Sequence, residues 1–358
     1  MRNSSVALIT RDFILDPWLD QIADRLSERG YEIMRGPHQR PPAKTIFEPD
    51  QISELFGRAD LVVATTRSII SRDVLSSPRL RAVVFPTIGT ESVDLSIADE
   101  LGIMVAHGPT PENFNSMSEA TVLLMLMLSY DMHGTEAVLR ENMPRPARVK
   151  ATMLMGKTIG LLGLGRIGRG VVDRLQNWGV DFLVHDPHVD QAALPGNVRA
   201  VDLETLMSES DIVSIHAILT PETRHIVNAG LLARMKPTAW LINTARGGIV
   251  DEDALIDVLQ RGRIAGAALD TFEQEPLPPD SRLRELDNVI LTPHMIGHTQ
   301  QIFDAIPDAA MDNIDRIMRG EPPLYMRNPQ VLDRWLGRVR AIGEMAVRYA
   351  AGDAGAAS

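Results

Sequence analysis

Arg246, Glu275 and His294 each follow a short apolar run of strand length, and upstream of all three lies Gly163-Leu-Gly165-Arg-Ile-Gly168. A glycine-rich turn of that form suits a dinucleotide diphosphate. A guanidinium can clasp a carboxylate in bidentate fashion and polarise the adjacent carbonyl. An imidazole can give a proton to the carbonyl oxygen or take it back. A carboxylate against that imidazole favours its charged form and raises its pKa. Together these residue types predict hydride transfer to or from a 2-oxo acid.

A glycine pattern alone is weak, but here it follows a strand-like run, Thr158 to Leu162, and opens a helix expected over Arg166 to Trp178. Gly163 allows the tight turn, Gly165 lets the diphosphate approach the backbone, and Gly168 lets helix and strand pack closely. The helix start, which includes Arg166 and Ile167, offers unpaired amides and a partial positive charge. The next strand, Asp181 to His185, ends at Asp186. A carboxylate there accepts from the adenosine ribose hydroxyls and repels a 2′-phosphate, which favours NAD over NADP. A packing turn with Asp186 as a turn former is the plainer alternative, and it leaves the agreement of loop, context and acid spacing unexplained.

These residues need elements to hold them. Val6 to Thr10, Leu61 to Thr65 and Leu80 to Phe85 read as strands, with an amphipathic helix over Trp18 to Arg29. The proline-rich, basic stretch Pro37 to Lys44 reads as a surface loop. Ser116 and Glu119 have capping-box spacing ahead of a methionine-rich, almost wholly apolar helix, Ala120 to Ser129, whose profile predicts burial. The pattern breaks at Asn142-Met-Pro-Arg-Pro-Ala, which predicts a domain crossing nearby. Beyond Lys157 the rhythm is regular, with strands over Asp211 to His216, Ala239 to Asn243, Ile264 to Leu269 and Val289 to Leu291, and helices over Asn228 to Met235 and Asp251 to Arg261. This is α/β patterning with doubly wound parallel sheets. In such sheets ligands sit beyond the carboxyl ends of the strands, and Asp186, His216, Arg246, Asp270 and His294 all fall at or just past such ends. A small-residue tail, Ala350 to Ser358, is expected to fray.

Composition sets the outer bounds. The 358 residues are enough for two domains, each with its own core. A formal charge of −11 argues against a nucleic-acid partner. The chain has no cysteine, which excludes disulfides, thiolate metal sites and cysteine nucleophiles. No apolar stretch is long enough to span a bilayer, and the opening residues do not form a signal peptide, so a cytoplasmic protein without membrane partners is expected. His298 lies four residues after His294, but the proline before and the glycine between argue against a helical metal pair, so no metal site is expected. His216 reads as a strand-end residue near the cofactor with no proton chemistry. Glu273 competes with Glu275 as the carboxylate near the imidazole.

Leu241-Ile-Asn-Thr-Ala-Arg-Gly-Gly-Ile-Val-Asp-Glu-Asp-Ala-Leu255, Ala268-Leu-Asp-Thr-Phe-Glu-Gln-Glu-Pro276 and Leu291-Thr-Pro-His294 resemble the signatures of the D-isomer-specific 2-hydroxyacid dehydrogenases. The similarity runs from about Leu61 to about Asn328. It implies a Rossmann NAD-binding domain, residues 119–296, inserted into a flavodoxin-like substrate domain, residues 1–118 and 297–358. It implies Arg246 as the substrate arginine, Glu275 as the carboxylate and His294 as acid/base. Thr244 and Asp270 join Gly163, Gly165, Arg166, Ile167, Gly168 and Asp186 in the cofactor set, with Asp270 at the nicotinamide end. Thr87-Ile-Gly89-Thr90 resembles the loop whose amides bind the substrate carboxylate, which places Gly89 and Thr90 beside Arg246 and His294 as substrate contacts. Asn113 to Glu119 resembles the segment entering the interdomain helix, and a plain turn with a cap explains it equally well. The implied partners are a small 2-oxo or 2-hydroxy acid and a second copy of the chain, a homodimer in which Ala120 to Met143 could reach the partner, with an intrachain buried helix as the plainer reading of that segment.

Several positions depart from the family pattern. Ile218 stands where proline is usual after His216, Met295-Ile296 makes the wall beside His294 bulkier, and the linker before Gly156 lacks the usual tryptophan. Thr65 stands where phosphoglycerate enzymes often carry a phosphate-binding arginine, with Arg67 two residues on. Ile88 and Glu275 argue against phosphite and formate oxidation respectively. The alternative expectation is an NAD(H)-sensing, co-repressor-like interaction protein on the same scaffold; turnover discriminates the two.

Overall fold

The alternation of apolar runs and amphipathic stretches yields two parallel sheets flanked by helices. The structure, a computed structural model, describes residues 5–39, 43–146 and 150–350. Part of the expected Pro37–Lys44 loop (40–42), residue 147 of the Asn142 segment and tail residues 351–358 lie outside them. The chain forms two compact units, Met1–Thr110 with Gln300–Ser358, and Pro111–Thr299. Residues 111–299 form one unit throughout, so no crossing falls near Asn142; the chain passes between units at Thr110–Pro111 and again at Thr299–Gln300.

The first unit carries β1 (Val6–Ile9), β2 (Glu32–Arg35), β3 (Leu61–Val63), β4 (Ala82–Phe85) and β5 (Met104–His107) in the order β2-β1-β3-β4-β5. Every pairing is parallel. This is the flavodoxin-like order, whose direction of winding reverses between β1 and β3. Strands covered on both faces must be apolar throughout, and β1, β3 and β4 are buried at every residue. One face packs on α1 (Asp16–Glu28), through Leu19, Ile22 and Leu26, and on the late helix Gln300–Met318, through Ile306, Ala310 and Ile314. The last helix, Leu332–Ala350, adds Trp335, which is fully buried and donates its indole N–H to the Arg81 carbonyl at 3.0 Å.

The second unit carries β6 (Thr158–Leu162), β7 (Asp181–His185), β8 (Val198–Ala200), β9 (Ile212–Ile215), β10 (Trp240–Asn243), β11 (Gly266–Leu269) and β12 (Val289–Leu291), ordered β12-β11-β10-β9-β6-β7-β8. Again every pairing is parallel. This is a Rossmann sheet extended by one strand, and its winding reverses between β6 and β9. The helix Pro111–Ser129 lies against Arg166–Leu175, where the Ser118 hydroxyl donates to the Ile167 carbonyl at 3.1 Å.

Two expectations change at that helix. It begins at Pro111, not Ala120, so Ser116 and Glu119 sit inside it and form no capping box. Ser116 instead donates its hydroxyl to the Gly297 carbonyl at 2.8 Å, and Glu119 pairs with Arg174. A proline is favoured in a first helical turn because its missing N–H has no partner there anyway, and this allows Pro111 to start the helix early.

Trp335→Ala is expected to destabilise the first unit by about 3–5 kcal/mol, the range for truncating a buried aromatic. Denaturant unfolding of wild-type and variant chains checks it; a midpoint shift worth under about 1 kcal/mol removes Trp335 from the core.

Candidate active site

The turn from β6 into the helix Arg166–Leu175 has the geometry a diphosphate needs. Gly163 has φ +98°, and a Cβ there would come within 2.9 Å of the His216 and Ala217 backbone. Gly168 lies so close to the turn that a Cβ would stand 2.7 Å from the Gly163 carbonyl. Over Gly165 the situation is opposite: no atom lies within 4 Å of a Cβ position, so the amides beyond it are open to an anion. Arg166 lies over the Phe114 ring, 4.6 Å from its centroid. Asp186 at the end of β7 accepts the Leu164 amide on one oxygen and the His188 amide on the other, both at 2.8 Å. Each oxygen retains acceptor capacity for ribose hydroxyls. The residues present therefore fit a dinucleotide.

His216 follows β9 directly across the reversal from Gly163. Its ring is part-buried, and Nε2 lies 3.0 Å from the Ser214 hydroxyl. Burial pushes its pKa down to about 4, so the ring is neutral at pH 7 and takes no proton from that solution.

Arg246 follows β10 and is set by Asn243, whose side chain donates to the Arg246 carbonyl at 3.0 Å and accepts the Ala245 amide at 3.1 Å. The next residue, Gly247, is pressed so tightly against Phe272 and Glu273 that any Cβ would fall inside their backbone. This close approach brings the Arg246 loop against the loop that carries Glu275. Thr244 is buried beside it.

Past β11, the buried Asp270 accepts three bonds on a single oxygen: the Thr292 hydroxyl at 2.7 Å and the Met295 and Ile296 amides at 2.9 and 3.1 Å. These donors bracket His294, which has φ +55°, a left-handed conformation uncommon outside glycine. His294 Nδ1 stands 2.8 Å from Glu275 Oε2, while Oε1 of the same carboxylate accepts the Phe272 amide at 3.1 Å. Burial pushes the Glu275 pKa up, but the His294 hydrogen bond and charge, the Phe272 amide and the Arg246 charge together take it below the usual value. An ionised carboxylate only accepts, so Nδ1 carries the hydrogen and Nε2 is the nitrogen left for proton exchange. Glu273 points elsewhere: it pairs with His225 at 2.6 Å and accepts the Glu252 amide.

The second unit thus brings Arg246, Glu275 and His294 to adjoining loops at one sheet edge, with Asp270 beneath them. Gly89 and Thr90 belong to the first unit, where Arg327 donates to the Thr90 hydroxyl at 3.3 Å and His107 Nδ1 lies 3.1 Å from the Ile88 carbonyl. Asn243 and Thr292 were not singled out from the sequence. The signal for both was a hydrogen-bonding residue at a strand end two or three positions before Arg246 or His294. Among the described residues, no cluster of three metal-ligating side chains occurs.

Residues 122–296 match the model of the D-isomer specific 2-hydroxyacid dehydrogenase NAD binding domain. The chain is 38% identical over 289 residues to a glyoxylate reductase of Thermofilum pendens, covering 79% of this chain and 85% of that one. It is 34% identical over 295 residues to a D-3-phosphoglycerate dehydrogenase of Methanocaldococcus jannaschii, of whose length it spans only 56%. Among solved structures, an NAD-dependent formate dehydrogenase of Staphylococcus aureus in complex with NAD superposes with a TM-score of 0.75 at 28% identity, over 88% of this chain and 96% of that one.

A buried histidine with a lowered pKa contributes stability that is complete above its unfolded value, near 6.5, and is lost as pH falls toward about 4. Wild-type protein is therefore expected to lose about 1.5 kcal/mol through His216 between pH 6.5 and pH 5. Melting curves across that window check it: His216→Gln should flatten the slope, and an unchanged slope would refute the neutral, buried assignment.

Proposed function

The chain belongs to the D-isomer-specific 2-hydroxyacid dehydrogenases, an NAD-dependent family, and from that premise we propose that it interconverts a small 2-oxo acid and its D-2-hydroxy acid with His294 as the acid/base. The observation that carries this reading is the His294–Glu275 pair at 2.8 Å, with Nδ1 committed to the carboxylate. Bound NAD(H) supplies or accepts the hydride at nicotinamide C4. In the reducing direction His294 Nε2 gives its proton to the carbonyl oxygen as that carbon gains the hydride; in the oxidising direction it takes the hydroxyl proton. Glu275 acts as counter-ion to the imidazolium and fixes the ring. Arg246 holds the substrate carboxylate and draws charge from the adjacent carbonyl.

The Gly89–Thr90 loop, by the same reading, supplies backbone amides to the substrate carboxylate. Gly163 to Gly168, with Arg166 and Ile167, receive the diphosphate, Asp186 the adenosine ribose, and Thr244 lies in the cofactor wall. Asp270 holds the His294 loop, a positioning role that places it near the nicotinamide without requiring contact. Glyoxylate and hydroxypyruvate are the first substrates to try, since the Thermofilum relative is named a glyoxylate reductase.

NADH oxidation is to be followed with glyoxylate, hydroxypyruvate, pyruvate, phosphohydroxypyruvate and bulkier 2-oxo acids. His294→Ala is expected to lower kcat by at least 10²-fold, the typical contribution of a positioned acid/base. Arg246→Ala is expected to depress kcat/KM comparably. Turnover undiminished in either variant would remove that residue from the reaction.

A homodimer through the second unit is proposed with it. Tyr130, Met132, Met143, Met153 and Met155 are all exposed there, unusual for large apolar side chains in one stretch. Met132 also lines a trough of about 920 Å³ at β9, β10 and β12, with Met127, Trp240 and Ile290. Wild-type protein should sediment as a dimer and the Tyr130→Glu/Met132→Glu protein as a monomer. A monomeric wild type, or a variant that stays dimeric, rules this surface out.

A further inference from the structure

The carboxyl edge of the five-stranded sheet holds a group of residues that the reaction above does not use. Asp12, two residues past the β1 neighbour Thr10, is fully buried. Its Oδ1 accepts the Ile14 and Leu15 amides at 2.9 and 3.1 Å, which fixes the turn into α1. Arg67, four residues past β3, puts Nη1 on both oxygens of that carboxylate, at 2.9 and 3.3 Å. The guanidinium also lies 4.8 Å from the centroid of Phe13, an exposed ring. β1 and β3 are the two strands between which the winding reverses, the place where ligands bind in sheets of this order.

A further observation ties this edge to the substrate. The segment is attached to the Gly89 loop: Ser92 donates its hydroxyl to the Thr65 carbonyl at 3.2 Å, and the Thr66 methyl stands 3.0 Å from where a Gly89 Cβ would be. If that loop takes the substrate carboxylate, residues 65–68 lie beside the rest of the substrate.

We infer that Asp12 and Arg67 form the subsite for the substrate's side chain and select an uncharged one. This rests on the reading of the chain as a 2-oxo acid reductase and adds the class of acid. An arginine alone at this edge would attract a phosphate or second carboxylate. Here its charge is matched by a buried carboxylate that cannot move away, because two backbone amides and the guanidinium hold it. An anionic side chain at Arg67 would feel the Asp12 charge behind it and gain little from the pair. The exposed Phe13 ring beside Arg67 instead offers an apolar face to a neutral group.

The test compares 2-oxoglutarate with 5-methyl-2-oxohexanoate, its isostere with an uncharged side chain, measuring kcat/KM with NADH and, in parallel, Kd on the NADH-loaded protein by quenching of NADH fluorescence. Wild-type protein is expected to favour the uncharged acid by at least about tenfold, or 1.4 kcal/mol. Asp12→Asn keeps an oxygen for the Ile14 and Leu15 amides and removes the charge. It should move the ratio about tenfold toward the dicarboxylate. Adding Arg67→Gln to Asp12→Asn should abolish that gain. A wild-type preference for 2-oxoglutarate overturns the inference whether or not the variants fold, as does a folded Asp12→Asn protein with an unchanged ratio. Binding with the expected ratios but no turnover would overturn hydride transfer and leave the subsite standing; binding of neither acid overturns both.

Discussion

Asp270 is a buried carboxylate that spends one oxygen on three donors, and the chemistry at this sheet edge hangs from it. Those bonds give the Met295 and Ile296 amides a common acceptor. With them, the chain is drawn in on both sides of His294, and the left-handed backbone at that residue is over-determined by its neighbours. The ring is thereby turned toward Glu275, whose own carboxylate is anchored by the Phe272 amide. Gly247 meets the same Phe272–Glu273 backbone from the other side, so the Arg246 loop is registered against the Glu275 loop by close packing of main chain.

The two histidines at carboxyl strand ends show how the same side chain is given different work. His216 is part-buried with a hydroxyl as neighbour, and loss of water around the ring drives it toward the neutral form. His294 is half-exposed and faces an ionised carboxylate. Charge neighbours and access to water, rather than position in the fold, distinguish the two imidazoles. The pairing of Arg67 with Asp12 follows the same logic in the other unit, where a cation is matched by an internal anion held on backbone amides.

Apart from the edge strand β12, the strands that the apolar pattern reveals have neighbours on both sides, such as β1, β3, β6 and β9, where burial on two faces demands apolar residues throughout. Three strands it does not reveal, β2, β5 and β8, are all sheet edges. Glu32-Ile-Met-Arg35 and Val198-Arg-Ala200 mix charged and apolar residues because an edge faces solvent on one side. Ser116 and Glu119 show the opposite failure: the spacing of a cap is present, but the helix begins earlier and both side chains serve contacts with distant residues.

The sequence by itself determined the parallel α/β architecture and showed a dinucleotide-type turn with a candidate cation and imidazole, because each is written in a few consecutive residues whose backbone needs are local. Only the tertiary structure decided that Glu275 rather than Glu273 meets His294, that Asp270 gathers the His294 loop, and that Asp12 neutralises Arg67. Those pairings join residues 19, 22 to 26 and 55 positions apart. No local rule connects such distances; the burial of the strands between them does, by fixing which loops emerge side by side.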